Sequence, residues 1–507
     1  MTHFLKTPLL LLASQLLSAA APVAKPNIIL IYADDLGFGD LGCYGSQAIK
    51  TPNIDRLAAG GLRFTASYAT SATCTPSRYG LLTGEYPWRK KGNKILEGDA
   101  PMIIPPGSTT LPSLLREAGY KTAVVGKWHL GLGTDQDPVD WNDVIKVGPL
   151  QVGFDYSYIM AATGDRVPTV YVDNDRVVNL DPSDPIKVSY KQKIGNEPTG
   201  HDHPDQRKFG ADPQHSDTIT HGVSRIGYMS GGKAALWKDE ELGDHFTAKA
   251  VEFIGNAGKQ PFFLFFALHE PHVPRVPAPR YVGKTKLGPR GDVIAQLDDH
   301  VGAVIAKLEQ MKLLGNTIVM LSSDNGPVLD DGYEDDAVAK NGDHTPGGPF
   351  SGGKYSKLEA GTRVPMILSW PGKVSPAVSA AANSQIDFLA SFAALTGQAV
   401  PKGAANDSHN AIDVLLGKSV VGRAVIVQEG ISGLAMRSGD WKFIRPHKGE
   451  ANFKSMRSGN SPQPQLYNLA EDPAETKNLA RKNPEKLAEL TAALEGITSG
   501  SAAGETD

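Results

Sequence analysis

The chain has 507 residues, which is too long for one small core, and a usual domain size of about 150 residues favours two or three structural units. Its 51 basic and 55 acidic side chains give a formal charge of -4, which argues against nucleic-acid binding because such proteins are strongly basic. With 40% hydrophobic and 21% charged residues, the composition is that of a globular protein and excludes a wholly disordered chain.

The N-terminus has the layout of a secretory signal peptide over residues 1–20. Lys6 precedes an apolar run at 9–17, and small residues follow it. We predict cleavage near Ala20 and a protein exported to the periplasm or secreted; a buried N-terminal helix is the alternative. No later segment predicts a membrane span. Because the chain has only two cysteines, Cys43 and Cys74, we do not expect the fold to depend on disulfides.

Four short apolar runs predict buried strands, and each run ends in polar residues capable of chemistry. A helix-like segment at 292–314 fits the helical cover of a parallel sheet. Because ligands bind at the carboxyl ends of parallel strands, the polar residues predict one functional site. The runs are 27–32 before Asp34 and Asp35, 122–125 before Lys127 and His129, 262–268 before His269 and His272, and 317–322 before Asp324 and Asn325.

The range 133–245 is rich in Asp, Pro, Gly and His and has no clear period. We interpret it as an insertion on the substrate side of a catalytic domain at 24–400, where selectivity would reside. A mobile surface excursion is the alternative. Its candidates for contact with sugar hydroxyls or carboxylates are Asp165, Arg166, His201, His203 and His215.

The remaining residues predict a smaller C-terminal α+β subdomain at 418–498, after a boundary at 401–418. Short apolar segments alternate there with turn residues and precede an amphipathic helix. The predicted elements are strands at 424–428, 434–436 and 441–444 and a helix at 483–497.

Several motifs resemble cofactor sites but fail on their context. The glycine pattern at 37–42 follows a predicted strand, yet the residues after it cannot start the helix that must hold a pyrophosphate. Phosphate-loop-like segments ending at Lys233 and Lys354 lack the Ser or Thr that binds metal. The segment 269–272 has the wrong spacing for a zinc-protease helix, and Pro271 would break that helix.

Asp34, Asp35, Asp324 and Asn325 offer oxygen donors at the ends of two predicted strands. Oxygen donors suit a hard cation such as calcium or magnesium. Each pair alone could be a cap or a turn, but adjacent carboxylates repel one another unless a cation neutralises them. Together they favour a metal site.

Cys74 lies at the start of a predicted helix that has Pro76 at its first position and Gly84 near its end. The free N–H groups and the dipole of a helix N-terminus favour an anion there, and Arg78 follows one turn later. From these residues alone, Cys74 is either a reactive thiolate or a buried, inert thiol.

Cys74-Thr75-Pro76-Ser77-Arg78, followed by Leu81-Leu82-Thr83-Gly84, resembles the signature of the formylglycine-dependent sulfatases. The likeness spans most of the chain, and its motifs are specific. It implies an α/β fold, an alkaline-phosphatase-like sandwich with a mostly parallel central sheet. Further segments similar to family motifs, in family order, are 34–37, 126–131, 271–272, 323–326, 353–354 with 359–365, 466–469 and 471–473.

The resemblance implies that a separate formylglycine-generating maturation enzyme oxidises Cys74 to formylglycine, also called 3-oxoalanine. The hydrate of this aldehyde would attack sulfur with one hydroxyl and keep the other for release of sulfate. A thiol would lack that second hydroxyl. The calcium ligands implied by the family are Asp34, Asp35, Asp324, Asn325 and the modified Cys74.

The resemblance also assigns the cations and imidazoles. It implies that Arg78 and Lys127 hold the formylglycine hydrate and that Lys127 and Lys354 contact sulfate, whose transition-state charge they would stabilise. His272 would protonate the leaving oxygen, and His129 would take the remaining hydroxyl proton.

The family implies a calcium-dependent sulfatase acting on sulfate monoesters, and the predicted export and polar insertion favour a sulfated carbohydrate as substrate. A phosphomonoester or phosphonate hydrolase on the same scaffold is one alternative. A glycan-binding protein without activity is another, if Cys74 stays unmodified. Lys357 competes with Lys354 for sulfate, although the spacing to Glu359 favours Lys354, and the role of His269 stays open.

Overall fold

The computed structural model describes residues 25–499, so the predicted signal peptide lies outside the described residues. Within 25–499, none of the helices combines the length and the apolar character that a membrane crossing requires. Both cysteines are free thiols: Cys74 is buried and Cys43 is partly buried.

A ten-stranded sheet forms the centre of the molecule. Its five middle strands run parallel, and antiparallel strands flank them on both sides. From one edge to the other, the strands are Ala377–Ser379, Leu62–Phe64, Met366–Ser369, Thr317–Ser323, Asn27–Ala33, Phe262–Ala267, Lys121–Lys127, Tyr156–Met160, Tyr171–Asp173 and Arg176–Val177.

The four strands predicted from apolar runs are confirmed as neighbours within the parallel part of the sheet. Asn27–Ala33 lies at the middle, and every residue in it is buried. Such uninterrupted apolar strands are typical of parallel sheets covered on both faces. Ile28, Leu30 and Tyr32 face one hydrophobic core, and the alternate residues face a second core. The mostly parallel α/β class predicted for the chain is therefore confirmed.

Helices cover both faces of this sheet. Gly288–Gln310 and Leu242–Gly255 supply apolar side chains to the core on one face, and Leu111–Glu117 and Phe388–Thr396 supply the core on the other. The remaining helices are Pro52–Ala59, Cys74–Thr83, Ala337–Lys340, Glu359–Thr362, Ile412–Leu415 and Pro484–Thr498.

Two predicted helix boundaries are wrong, both for local backbone reasons. The helix expected at 292–314 is Gly288–Gln310, because Pro289 is tolerated in a first turn and Lys312 has a positive φ of 59° that ends the helix. The helix expected to start at Pro76 starts at Cys74. Proline fits the third position as well, because first-turn N–H groups have no partner within the helix.

The range 133–245 is more ordered than its composition suggested. Tyr156–Met160 pairs in parallel with Lys121–Lys127 and so belongs to the central sheet. The rest of the range forms short pairings such as Lys187–Ser189 with Tyr228–Ser230 and Ile219–Thr220 with Val223–Ser224.

A separate antiparallel sheet forms the C-terminal part of the described chain. Its apolar side chains pack with the helix Pro484–Thr498 in a core of their own, which Tyr86 and Ile386 also join. A hairpin of Asn452–Phe453 and Met456–Arg457 projects from this unit. The boundary at 401–418 stays a prediction. The strands of the sheet are Val425–Gly430, Gly433–Ser438, Trp441–Ile444 and Gln465–Asn468.

Candidate functional site

The register of two neighbouring strands brings four oxygen-bearing side chains together. Ala33 lies opposite Ser323, so the residues that follow these two strands leave the same edge of the sheet side by side. The Asn325 amide donates to Asp35 Oδ1 at 2.7 Å, and the Asp35 backbone N–H donates to Asp324 Oδ1 at 3.3 Å. All four side chains, Asp34, Asp35, Asp324 and Asn325, are buried.

Three cations lie against these carboxylates. Lys127 Nζ donates to Asp34, Lys354 Nζ donates to Asp35 at 2.9 Å, and the Arg78 guanidinium donates to Asp324 at 2.8 Å. Gly126, the residue before Lys127, has a φ of 113° and lies close to the Ala267 carbonyl oxygen. A Cβ at position 126 would lie 1.9 Å from that oxygen, so only glycine lets the strand end here and bring Lys127 to the cluster.

The pKa values of the three carboxyl groups are shifted in different directions. Burial, followed by the charge of Asp324, raises the pKa of Asp34 well above its usual value. Burial also raises the pKa of Asp35, against the opposing effect of Lys354. Burial alone would raise the pKa of Asp324 too, but Arg78 and Lys127 lower it below its usual value.

Unpaired oxygens in this cluster fit a bound cation. Asp34 Oδ1 and Asn325 Oδ1 are buried and have no hydrogen-bond partner within the described part of the chain. The Cys74 sulfur and carboxylate oxygens of Asp34 and Asp324 lie within 4.8 Å of one another. Because buried polar atoms are normally satisfied, and because the donors are mostly oxygens, the set suits a hard divalent cation.

Cys74 reaches the cluster as the first residue of the buried helix Cys74–Thr83. Thr73 before it is extended, and Gly84 ends the helix in the left-handed conformation with a φ of 67°. Burial raises the pKa of the Cys74 thiol to about 11, against Lys127 and Lys354, which act to lower it. The encoded side chain is therefore a neutral thiol near pH 7.

The hydrogen bonds of His272 fix its tautomer. Nδ1 lies 2.6 Å from the Val273 carbonyl, so Nδ1 carries the proton, and the Thr163 hydroxyl lies 3.2 Å from the same nitrogen. Nε2 is then the acceptor for Lys354 Nζ at 3.0 Å. Burial and the nearby Lys354 hold the pKa of His272 well below its usual value.

Lys354 is the centre of a small triangle of acceptors. Its ammonium contacts Asp35 at 2.9 Å, Asp331 at 2.9 Å and His272 at 3.0 Å. Lys357, the competing lysine, is also buried, but its Nζ has no partner within the described residues and it does not line the cavity that holds Cys74. Lys354 is thus the lysine that the structure places at the site.

His129 presents a free acceptor nitrogen. Its Nε2 lies 3.0 Å from the Leu96 carbonyl and must donate to it, which leaves Nδ1 unprotonated. Nδ1 is buried and without a partner among residues 25–499. Burial, then Lys127, lowers the pKa of His129 well below its usual value, which keeps the ring neutral and leaves Nδ1 without a proton.

A cavity of about 270 Å³ opens over these groups. Its lining residues include Cys74, His272 and Lys354, here called the floor, and Asp165, Arg166 and the other lining residues, here called the wall. The volume is just below the usual range of about 300 to 1,000 Å³ for small-molecule sites.

Only some of the residues predicted from the insertion line the cavity wall. Arg166 donates to both oxygens of Asp165 at 2.7 Å, and His215 lines the cavity beside them. His201 and His203 are exposed and do not line this cavity.

His269 lies behind the cavity floor. Its ring centroid is 5.5 Å from that of His272, and it lines a separate small cavity with Glu270 and Gln296. Both ring nitrogens are buried without a partner in the described chain. A ring nitrogen of His269 lies within 4.8 Å of a carboxylate oxygen of Asp34 and of a ring nitrogen of His272, so the structure places His269 beside the acidic cluster without a hydrogen bond in the described chain that would assign its role.

Two side chains at the site were missed by sequence reasoning. Thr163 contacts His272, and Asp331 contacts both Lys354 and the Tyr355 hydroxyl. Both residues lie in loops that have no distinctive spacing. Only their position after the strands Tyr156–Met160 and Thr317–Ser323 could have indicated them.

Comparison with known proteins agrees with this arrangement. The Sulfatase family model matches residues 26–398. An N-acetylgalactosamine-6-O-sulfatase of Bacteroides thetaiotaomicron is 50% identical over 476 residues, which cover 93% of each chain. Human arylsulfatase A is 30% identical over 94% of this chain and 88% of its own length.

A solved structure shows the same similarity in three dimensions. It comes from work on the metabolism of multiple glycosaminoglycans by Bacteroides thetaiotaomicron, and it superposes with a TM-score of 0.92 at 49% identity. The superposition covers 94% of this chain and all of the other. With the family match over most of its length and the buried cluster around Cys74, this chain belongs to the sulfatase family of sulfuric ester hydrolases.

Proposed function

We propose that this protein is an exported, calcium-dependent sulfatase that removes a 6-O-sulfate from an N-acetylhexosamine of a sulfated glycan. The observation that carries the proposal is the juxtaposition of Cys74, at a helix N-terminus, with the oxygens of Asp34 and Asp324 within 4.8 Å. The 50%-identical relative named N-acetylgalactosamine-6-O-sulfatase supports the choice of sugar and sulfate position.

Residue 74 would act as formylglycine, made from Cys74 by a maturation enzyme. Its hydrated aldehyde supplies an oxygen nucleophile for sulfur and a second hydroxyl for release of sulfate. Calcium, which Asp34, Asp35, Asp324, Asn325 and residue 74 would hold, would supply positive charge that lowers the pKa of the attacking hydroxyl. Asp34 Oδ1 and Asn325 Oδ1, buried without a partner in the described chain, support this ligand set.

The chain's own cations orient the nucleophile and the sulfate. Arg78 and Lys127 lie against the carboxylates beside residue 74, and both side chains are fully buried. Lys127 and Lys354 would contact the non-bridging sulfate oxygens, where charge accumulates as the ester bond breaks. Because these side chains are held before substrate arrives, little reorganisation accompanies the reaction.

Proton transfer would involve the two histidines with opposite roles. Nε2 of His272 accepts a hydrogen bond of 3.0 Å from the Lys354 ammonium, so the proton for the leaving sugar oxygen would come from Lys354 and pass through Nε2 of His272. His129 would accept the proton of the remaining hydroxyl on residue 74 through Nδ1, the nitrogen that has no other partner in the described chain. That transfer would re-form the aldehyde C=O of residue 74 and break its bond to the sulfate oxygen, which releases sulfate.

A phosphomonoesterase on this scaffold is the nearest rival. Hydrolysis of a dianionic phosphate favours additional metal charge near the substrate, and Asp35, Asp331 and His272 could supply a second set of ligands. Lys354 Nζ already lies within 3.0 Å of all three residues. A single positive charge at that position favours the less charged sulfate ester.

A glycan-binding protein without activity is the second rival, and it depends on the state of residue 74. Cys74 in its encoded form is a buried neutral thiol, which would leave the sugar-binding wall intact without a competent nucleophile. The fate of Cys74 therefore separates an enzyme from a binding protein.

Ion chromatography of the released anion tests the proposal. The protein would be co-expressed with a formylglycine-generating enzyme and offered sulfated sugars, aryl sulfates and phosphate esters, with Cys74→Ala as the blank. We expect sulfate from 6-O-sulfated N-acetylgalactosamine and none from the blank. Phosphate release at a higher rate would favour the first rival. Absence of sulfate from every ester, with the aldehyde verified by mass spectrometry, would contradict the proposal.

A further inference from the structure

A hairpin of the C-terminal unit forms part of the wall of the active-site cavity. Asn452–Phe453 pairs with Met456–Arg457, and the turn between them carries Lys454. Phe453 and Lys454 line the same cavity as Cys74. The C-terminal unit thus contributes side chains next to the reacting group.

The hairpin is fixed to the catalytic loop that carries Lys354. The Phe453 ring meets the Tyr355 ring edge-on, with centroids 5.1 Å apart. The Arg457 carbonyl accepts a hydrogen bond of 2.8 Å from the Ser356 hydroxyl. Because one loop holds both the catalytic lysine and the hairpin, the turn has a defined position relative to the reaction centre.

Phe453 leaves an apolar surface uncovered at the cavity. The residue is 39% exposed, and it lines the cavity, so the part of its ring that Tyr355 does not cover can contact a ligand there. The C–H face of a pyranose ring is apolar and could cover the exposed part of Phe453.

Lys454 is the most loosely paired cation of the cavity wall. Its Nζ lies 3.6 Å from Asp212, whereas Arg166 and Lys354 each have a carboxylate oxygen within 2.9 Å. Asp212 in turn accepts a shorter contact of 2.7 Å from His215 Nδ1. Lys454 is therefore able to pair with an additional anion.

We propose that Phe453 and Lys454 form a second sugar subsite, which binds the residue next to the sulfated sugar and recognises an anionic substituent on it. Phe453 packs against the ring of this neighbour, and Lys454 pairs with its carboxylate or sulfate. This inference rests on the proposed function for the identity of the first sugar. It makes the preferred substrate an acidic oligosaccharide rather than a sulfated monosaccharide.

The test measures binding to the full-length, unmodified protein in calcium, by titration calorimetry, so that it does not depend on turnover. The probes are 6-O-sulfated N-acetylgalactosamine, the disaccharide that joins this sugar to a hexuronate, the same disaccharide with its carboxyl reduced to an alcohol, and one with a sulfated neutral neighbour. The variants are Lys454→Met and Phe453→Ala. Lys448→Met is the control, because Lys448 is an exposed lysine of the same unit that does not line the cavity. Phe453→Tyr keeps an aromatic ring at position 453 and should therefore retain the ring contact that Phe453→Ala removes.

We expect wild type to bind the hexuronate disaccharide about tenfold more tightly than the monosaccharide. The ion pair with the partly buried Lys454 and the contact of the sugar ring with Phe453 both add to the affinity. Lys454→Met should remove about fivefold of this preference, an effect that reducing the carboxyl would reproduce in wild type. Phe453→Ala should weaken binding of all the disaccharides. The sulfated neighbour distinguishes a sulfate from a carboxylate as the preferred anion.

Equal affinity for monosaccharide and disaccharides would overturn the subsite. So would an equal loss for all probes in Lys454→Met, since that would indicate general damage to the cavity. Failure of the proposed function is distinct, because it would appear as absent sulfate release while this binding preference persisted.

Discussion

Different parts of the fold hold the floor and the wall of the cavity in place. Beside the floor residue Cys74, Asp34, Asp324 and Lys127 lie at the ends of parallel strands, and the sheet register fixes their positions. On the wall, Arg166 and Lys454 come from an insertion and a hairpin that meet only in the folded structure. The sheet therefore fixes the acidic cluster beside Cys74, whereas the wall depends on contacts between loops.

Replacing the nucleophile should have the largest effect on the floor. Cys74→Ala removes both the modifiable group and one metal ligand, so we expect turnover to fall by at least about 10³-fold. The change deletes only the thiol sulfur from a buried helix start, so circular dichroism and the unfolding midpoint should stay close to wild type. Sulfate release is the measurement, and retention of full activity would remove residue 74 from the mechanism.

Asp324→Asn should break the metal site while keeping its shape. The amide cannot neutralise Arg78 or bind calcium as strongly as a carboxylate, so we expect calcium and activity to be lost together, with activity reduced by about 10²-fold or more. Metal content by mass spectrometry and sulfate release are measured on one sample. Normal hydrolysis by the variant without bound metal would show that the metal lies elsewhere.

His272→Gln should distinguish proton delivery from sulfate binding. We expect kcat for a sugar sulfate to fall by about 10²-fold or more, because a poor leaving oxygen needs a proton. An aryl sulfate has a more acidic leaving group and should lose much less. The ratio of the two losses is the measurement, and equal losses would assign His272 to binding rather than to acid catalysis.

His215 on the wall should give the smallest effect, on stability. Burial alone would lower its pKa, but Asp165 and Asp212 raise it to about 8. Since the pKa in the unfolded chain is about 6.5, its contribution of about 2 kcal/mol is complete below pH 6.5 and is lost as the pH rises through about 8.

The difference in unfolding free energy between wild type and His215→Gln should therefore shrink between pH 6.5 and pH 9. Urea titrations at both pH values measure it, and His203→Gln, at an exposed histidine, is the control. A difference that stays constant with pH would mean that the His215–Asp212 and His215–Asp165 contacts do not hold a proton.

The sequence predicted the floor well and the wall poorly, for a physical reason. Apolar runs identify buried strands, and the residues that end neighbouring parallel strands must meet, so Asp34 and Asp324 could be paired from the sequence alone. Thr163 and Asp331 reach His272 and Lys354 through loops, whose paths no periodicity encodes.

The fold, and not the sequence, separates the histidines that line the wall from those that do not. His201, His203 and His215 lie in one polar stretch, yet only His215 is buried against the cavity. The hairpin at Phe453 lies far along the chain from Lys354, and its contact with Tyr355 depends on how the two units pack.

The most direct test of the account compares samples that differ only in the state of residue 74. Co-expression with different amounts of maturation enzyme gives preparations whose aldehyde fraction can be measured by mass spectrometry. Sulfate released from 6-O-sulfated N-acetylgalactosamine in calcium should rise in proportion to that fraction and extrapolate to zero for the pure thiol. A rate that does not depend on the aldehyde fraction would contradict the account.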